Sequence, residues 1–336
     1  MPQATLLSQI RDLVVVDVDS MDVDVAKKYT YDPATFFNMT SNQAILQGEV
    51  VRPHREALLE IAAKRISANL EQPDQDRLLL DALDVITVLI AKEVYPYIKG
   101  HVLAQTSPAY AYDKTATVSH ATRLVQLFGE FGIPRERVCI KIPATPESML
   151  ACQELGSAGI KTLGTCLFSV PQALAASQAG CSYVSPYFNE LRVHWEPALW
   201  KKLDNFLDHP SAEVIRSIIQ AFKSTGSKTK VMPASLVLSD EVVAVVSLRP
   251  HHITLSPTAL EQLAALPPSP LLELSAVSPT PAMAPTEVPD YLADNGAALR
   301  AAIAEDADVS RRIADALKIF GEEEAKTKEL VRQMLQ

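Results

Sequence analysis

The sequence predicts an α/β protein, a single (β/α)8 TIM barrel with a C-terminal helical extension, and three observations carry that expectation. Short apolar, β-branched runs alternate with longer helical patterns, the rhythm of βα units closing into a parallel sheet. None of the 11 glycines builds the GxGxxG fingerprint that an open, doubly wound dinucleotide-binding sheet would need. The 336 residues exceed an average domain of ~150, yet α/β barrels run to ~250 or more as one unit.

In chain order the candidate strands are 13–19, 38–42, 101–106, 138–143, 162–168, 183–187, 230–235 and 252–256. Helical patterns separate them. The stretch 116–131 ends at Gly132 with Pro134 beyond, an ordinary helix stop. Residues 1–265 are thus assigned to the barrel. Seven prolines between 266 and 289 argue against regular helix or central strand there and predict an extended connector. Residues 290–336, rich in Ala, Glu, Lys and Leu, read as helices. These either form a partner-binding arm or fold back over the barrel.

Composition narrows the function. With 48% hydrophobic and 21% charged residues the chain is expected to bury a large core, and its net charge of −9 disfavours nucleic-acid and membrane-surface partners. Cys139, Cys152, Cys166 and Cys181 sit in apolar settings without a CxxC pair, so buried free thiols and a reducing compartment are expected. The N-terminus shows no basic start followed by an apolar stretch, and no run of about 18 apolar residues occurs, which predicts a cytoplasmic protein.

Lys141 is the strongest chemical signal, because it interrupts a predicted buried strand two residues before Pro143. Burial lowers a lysine's pKa by disfavouring the charged form, leaving a neutral amine that attacks carbonyls. The competing reading is a lysine that snorkels outward or pairs with a carboxylate. Reacting groups in TIM barrels lie at the C-terminal strand ends, where Lys141 falls. Strand alternation on the first strand puts Leu13, Val15, Asp17 and Asp19 on one face. Either acid then serves as general acid/base while its neighbour raises its pKa, or the segment is a polar loop with Ser20 or Asp22 as an N-cap. Gln105, Thr165, Tyr187 and Ser235 lie near the ends of other strands, as a pocket for carbonyls and hydroxyls requires. His251 and His252 face opposite ways, and no metal is assigned.

With these residues in view, the chain resembles the transaldolase family, including its fructose-6-phosphate aldolase and dihydroxyacetone aldolase-like branch. Val138-Cys-Ile-Lys-Ile-Pro-Ala-Thr145 looks like the family's lysine strand; Gly159-Ile-Lys-Thr-Leu-Gly-Thr165 and Ala179-Gly-Cys-Ser-Tyr-Val-Ser-Pro-Tyr187 look like the next two. Asp19-Ser-Met-Asp22 and Thr40-Ser-Asn42 are similar to its first two motifs, and the tail resembles the family's helical C-terminus. The resemblance implies Lys141 as Schiff-base former, Asp19 as proton-transfer residue and Thr165 as partner of the catalytic water. It implies Asn42, Ser235, Ser185 and Leu163 as substrate-binding residues, and no cofactor.

Departures from the transaldolase pattern are informative. Gln105 stands where transaldolases carry glutamate, and Gln105, Tyr187 and Leu163 instead match the aldolase-like branch. Glu190 and Val237 occupy positions of two phosphate-binding cations. The expectation is therefore class I aldol chemistry on a small ketone or aldehyde, with a non-phosphorylated donor. The alternatives are a pentose-phosphate transaldolase that grips phosphate with Arg192 or Arg249, and a silent barrel kept for binding. Homo-oligomer formation is left open.

Overall fold

In the computed structural model, residues 4–31, 35–67, 74–274 and 288–335 are described. Eight parallel strands, β1 (Val15–Val18), β2 (Met39–Thr40), β3 (Val102–Gln105), β4 (Val138–Pro143), β5 (Lys161–Leu167), β6 (Tyr183–Pro186), β7 (Lys230–Val231) and β8 (His252–Leu255), pair in sequence, with β8 returning to β1. Thr254 N donates to Pro233 O at 3.2 Å and bridges the remaining gap between β7 and β8. The architecture is the expected (β/α)8 barrel. Leu103, Cys139, Leu163, Tyr183 and Met232 fill its lumen, the interior layer that makes such barrels solid rather than hollow.

Helices α1 (Leu6–Leu13), α2 (Val23–Lys28), α3 (Gln43–Val50), α4 (Glu56–Ser67), α5 (Gln75–Val94), α6 (Lys114–Glu130), α7 (Pro146–Ser157), α8 (Val170–Gln178), α9 (Pro210–Thr225), α10 (Ser239–Ser247) and α11 (Pro257–Ala265) are interleaved with the strands. Their starts are written locally. Thr145 caps α7 through Ser148 N with Pro146 in the first turn, and Asp113 caps α6 through Ala116 N. The left-handed Gly132 (φ 87°) ends α6, with Ile133 N returning to Phe128 O at 2.9 Å.

Several strands are shorter than the apolar runs. Leu13 closes α1, Asn42 turns away to cap α3 through Ile45 N, and the β7 run stops at Val231 before Pro233 and the left-handed Ser235 (φ 62°). The connector is corrected in part: Pro270–Leu274 forms a helical turn, α12, because proline is tolerated in the first turn, where its missing N–H is not needed. Residues 275–287 lie outside the described residues.

After the connector come α13 (Ala293–Glu305) and the 28-residue α14 (Ala307–Met334). The apolar face of α14, Val309, Ile313, Ala316 and Phe320, packs on Cys166, Phe168, Tyr187, Leu191 and Ala234. The tail therefore folds back onto the C-terminal end of the barrel. No helix among the described residues is long and apolar enough to cross a membrane. All four cysteines are buried free thiols.

Candidate active site

Lys141 lies in β4, in register with Gln105 on β3 and Leu163 on β5. It is 4% exposed, and its amine has neither a hydrogen-bond nor an ion-pair partner among the described residues. Burial lowers its pKa from 10.5, opposed by the negative charge of Asp19. The reading of Lys141 as a snorkelling surface lysine fails. The remaining condition is a desolvated amine at the strand end.

Asp17 of β1 and Asp19 just beyond its end share the lumen face, as alternation required, but they do not act on one another. Asp17 is fully buried at the lower end of the barrel, where it accepts from His252 Nδ1 (2.8 Å) and Asn38 N (2.7 Å), and burial raises its pKa. Asp19 sits at the Lys141 end and accepts from Thr40 Oγ1. The expectation that one carboxylate raises the other is corrected: desolvation does it, and to Asp17. Asp22 also caps α2 through Asp24 N, so the motif supplies both a site acid and a helix start.

Around the lysine, Thr165 Oγ1 and Tyr187 Oη are 3.1 Å apart. Burial pushes the Tyr187 phenol well above its ordinary pKa, so it stays protonated. Gln105 donates through Nε2 to Gln43 Oε1 (2.9 Å), and Gln43 donates to Thr106 O (3.0 Å). Gln105 Oε1 is buried with no hydrogen-bond partner among the described residues. Buried amide oxygens are rarely left in this state, so Gln105 Oε1 is free to accept a hydrogen bond from a group in the site.

A bulge shapes this wall. The register between β5 and β6 shifts between Gly164 and Leu167, and Cys166 there has a left-handed φ of 49°. Non-glycine residues hold that conformation only where their surroundings enforce it, commonly at functional sites. Burial pushes the Cys166 thiol up to about 12, so it stays neutral beside Lys141.

Ser185 is buried on β6, on the lumen face between Tyr183 and Tyr187. Leu163 belongs to the packed layer with Leu103, Cys139, Tyr183 and Met232, forming the floor on which the site rests. The Asn42 side-chain oxygen is engaged in capping α3. Ser235, in the segment after β7, has its Oγ 2.9 Å from His194 Nε2. His251 and His252 do not converge: His251 Nδ1 accepts from Val231 N, while His252 turns inward to Asp17.

Cations near the mouth are neutralised. Glu190 pairs with Arg311 of α14 at 2.6 Å, and Arg311 also reaches Asp308 (2.7 Å) and Asp315 (2.9 Å). Arg192 holds Glu196 through both Nε and Nη2. Arg249 precedes β8, at the end of the barrel opposite Lys141, and donates to Leu272 O.

Gln43, His194 and Arg311 were not named from the sequence, and Thr40 and Cys166 only as part of a motif and as an expected buried thiol. Parity along 38–42 puts Thr40 on the Asn38 and Asn42 face and was enough to find it. Arg311 carries no such signal, since its partner Glu190 is remote in sequence.

Fold and site together define a TIM-barrel enzyme built around a buried lysine at the carboxyl end of its fourth strand. The model of the transaldolase/fructose-6-phosphate aldolase family matches residues 16–331. A transaldolase of Alteromonas mediterranea is 32% identical over 78% of this chain and 79% of its own. One from Marinomonas is 28% identical over 98% of this chain and 99% of its own, and transaldolase B of Pasteurella multocida is 30% identical over 78% and 80%. The chain belongs to the transaldolase/fructose-6-phosphate aldolase family.

Proposed function

We propose that the protein makes or breaks a carbon–carbon bond through an imine on Lys141, using a ketone donor that carries no phosphate. The carrying observation is the unpaired, deeply buried Lys141, whose pKa burial lowers while Asp19 stands close enough to oppose the shift. The neutral amine adds to the donor carbonyl, water leaves, and the protonated imine accepts electrons as the bond breaks. Asp19 takes the proton of the hydroxyl β to the imine and returns it in synthesis. Tyr187, bonded to Thr165, gives and takes the protons of carbinolamine and enamine, with Gln105 Oε1 holding the water. Ser235, Asn42 and Ser185 hold donor hydroxyls. No step calls on a cofactor.

Charge supports the unphosphorylated donor. A phosphate near Glu190 meets a carboxylate whose partner Arg311 already serves two further acids, and each missing charge-assisted donor costs about 1.5–3 kcal/mol. Borohydride trapping with dihydroxyacetone and related ketones, followed by peptide mass mapping, tests the imine: an adduct on Lys141 is expected. Its absence across a broad ketone panel defeats the proposal in favour of a silent barrel. Turnover of sedoheptulose 7-phosphate comparable to that of free hydroxyketones defeats the unphosphorylated donor and favours ordinary transaldolase activity, the name its relatives carry.

A further inference from the structure

One titratable side chain at the mouth has no part in the chemistry above. His194 closes a short turn, Leu191–His194, after β6. Its neighbours Leu191 and Val193 are buried, whereas the imidazole stands open to solvent. The ring lies on the Asp19 side of the mouth, within the field of that carboxylate. Its Nε2 is bonded to Ser235 Oγ, and its Nδ1 has no hydrogen-bond partner among the described residues.

The partner of this imidazole is fixed from behind. Ser235 is held in its left-handed conformation by Asn189, whose N and Nδ2 both donate to Ser235 O (3.1 and 2.9 Å). Asn189 in turn donates to Glu241, a fully buried carboxylate that also accepts from Trp200 Nε1 (2.7 Å), Val237 N (2.6 Å) and Leu238 N (3.3 Å). Two of these bonds, from Val237 N and Leu238 N, also cap the start of α10, so the serine is anchored to the end of a helix.

We infer that His194 is a specificity-determining residue that, with Ser235, binds the donor hydroxyl remote from the reacting carbon. This rests on the donor-binding role given to Ser235 above. The chemistry follows from counting hydrogens. A neutral imidazole has one donor and one acceptor nitrogen and a serine hydroxyl one donor and two acceptor lone pairs, so after one hydrogen bond between them the pair retains one donor and two acceptor sites. An alcohol has the same complement; a phosphate dianion, which only accepts, does not. Although His194 is exposed as a residue, partial desolvation where it meets the rim lowers its pKa against the pull of Asp19 and Glu241, which keeps it neutral at neutral pH. With Arg311 and Arg192 already tied to acids, a neutral pair governs this rim.

Dihydroxyacetone and hydroxyacetone separate the possibilities, since the second lacks the remote hydroxyl. The readout is the ratio of kcat/KM for the two ketones, with borohydride trapping on Lys141 measured alongside. The wild type is expected to favour dihydroxyacetone, and His194→Ala and His194→Phe to cut that ratio about tenfold, the value of roughly one hydrogen bond. Phenylalanine keeps the ring's bulk, and His194→Asn, with a donor and an acceptor, is expected to retain most of the ratio. A ratio within about twofold of wild type in the Ala and Phe variants overturns the inference, as does an Asn variant no better than Phe. If trapping on Lys141 persists in that outcome, the proposed function stands; if the wild type itself shows no trapping, both fall.

Discussion

Lys141 puts an ionisable amine where no partner among the described residues meets it, and its chemistry and its cost have the same origin. Because its folded pKa is depressed below 10.5, the folded state binds fewer protons than the unfolded one, so the residue lowers stability at neutral pH. Lys141→Met is therefore expected to abolish borohydride trapping and turnover while raising Tm; a lower Tm in that variant contradicts the unpaired-amine account. Tyr187→Phe removes the phenol from Thr165 with little change in volume. Its kcat is expected to fall about 10²–10⁴-fold, the usual range for a lost proton-transfer group, with the same adduct mass still forming slowly on Lys141. Unchanged kcat assigns the proton steps elsewhere.

At the level of elements, the site is made by strand ends and by one distant helix. β3, β4 and β5 supply Gln105, Lys141 and Thr165, and the residue after β6 supplies Tyr187, through ordinary alternation, with the β5–β6 bulge making the local adjustment at Cys166. The helix α14 then covers this wall, placing Phe320 and Ile313 in one apolar cluster with Phe168 and Tyr187. Phe320 is fully buried, so Phe320→Ala is expected to cost about 3–5 kcal/mol, read from a urea midpoint. Because the loosened helix leaves Tyr187 less well packed, kcat/KM is expected to fall too. A stability loss with unchanged kinetics makes α14 a structural cover without influence on the reaction.

For the molecule as a whole, the two ends of the barrel have opposite duties. The upper end holds the lysine; the lower is plugged by the rings of Phe37, His101, Tyr183 and His252 and by buried Asp17. Within the plug Lys161 Nζ donates to His101 Nε2 at 2.7 Å, and burial with the nearby cations lowers the His101 pKa from 6.5 to about 4. The unfolded chain thus takes up this proton first, and stability is expected to fall as pH drops from about 6.5 towards 4. Asp17, with its pKa raised, acts in the opposite sense at the acid end. His101→Gln, which keeps an acceptor for Lys161, isolates the effect: the slope of Tm against pH in that window should flatten, and an unchanged slope assigns it to other groups. What the sequence determined by itself was local: eight β-branched runs, the cap at Thr145, the stop at Gly132, and a lysine two residues before the end of an apolar strand. Alternation then aimed Asp17, Asp19, Thr165 and Tyr187 into the lumen. Tertiary structure decided which acid serves which end, that His194 joins Ser235, and that Arg311 neutralises Glu190. Those pairings depend on strand stagger and on where a helix far along the chain comes to rest, and no local spacing encodes them.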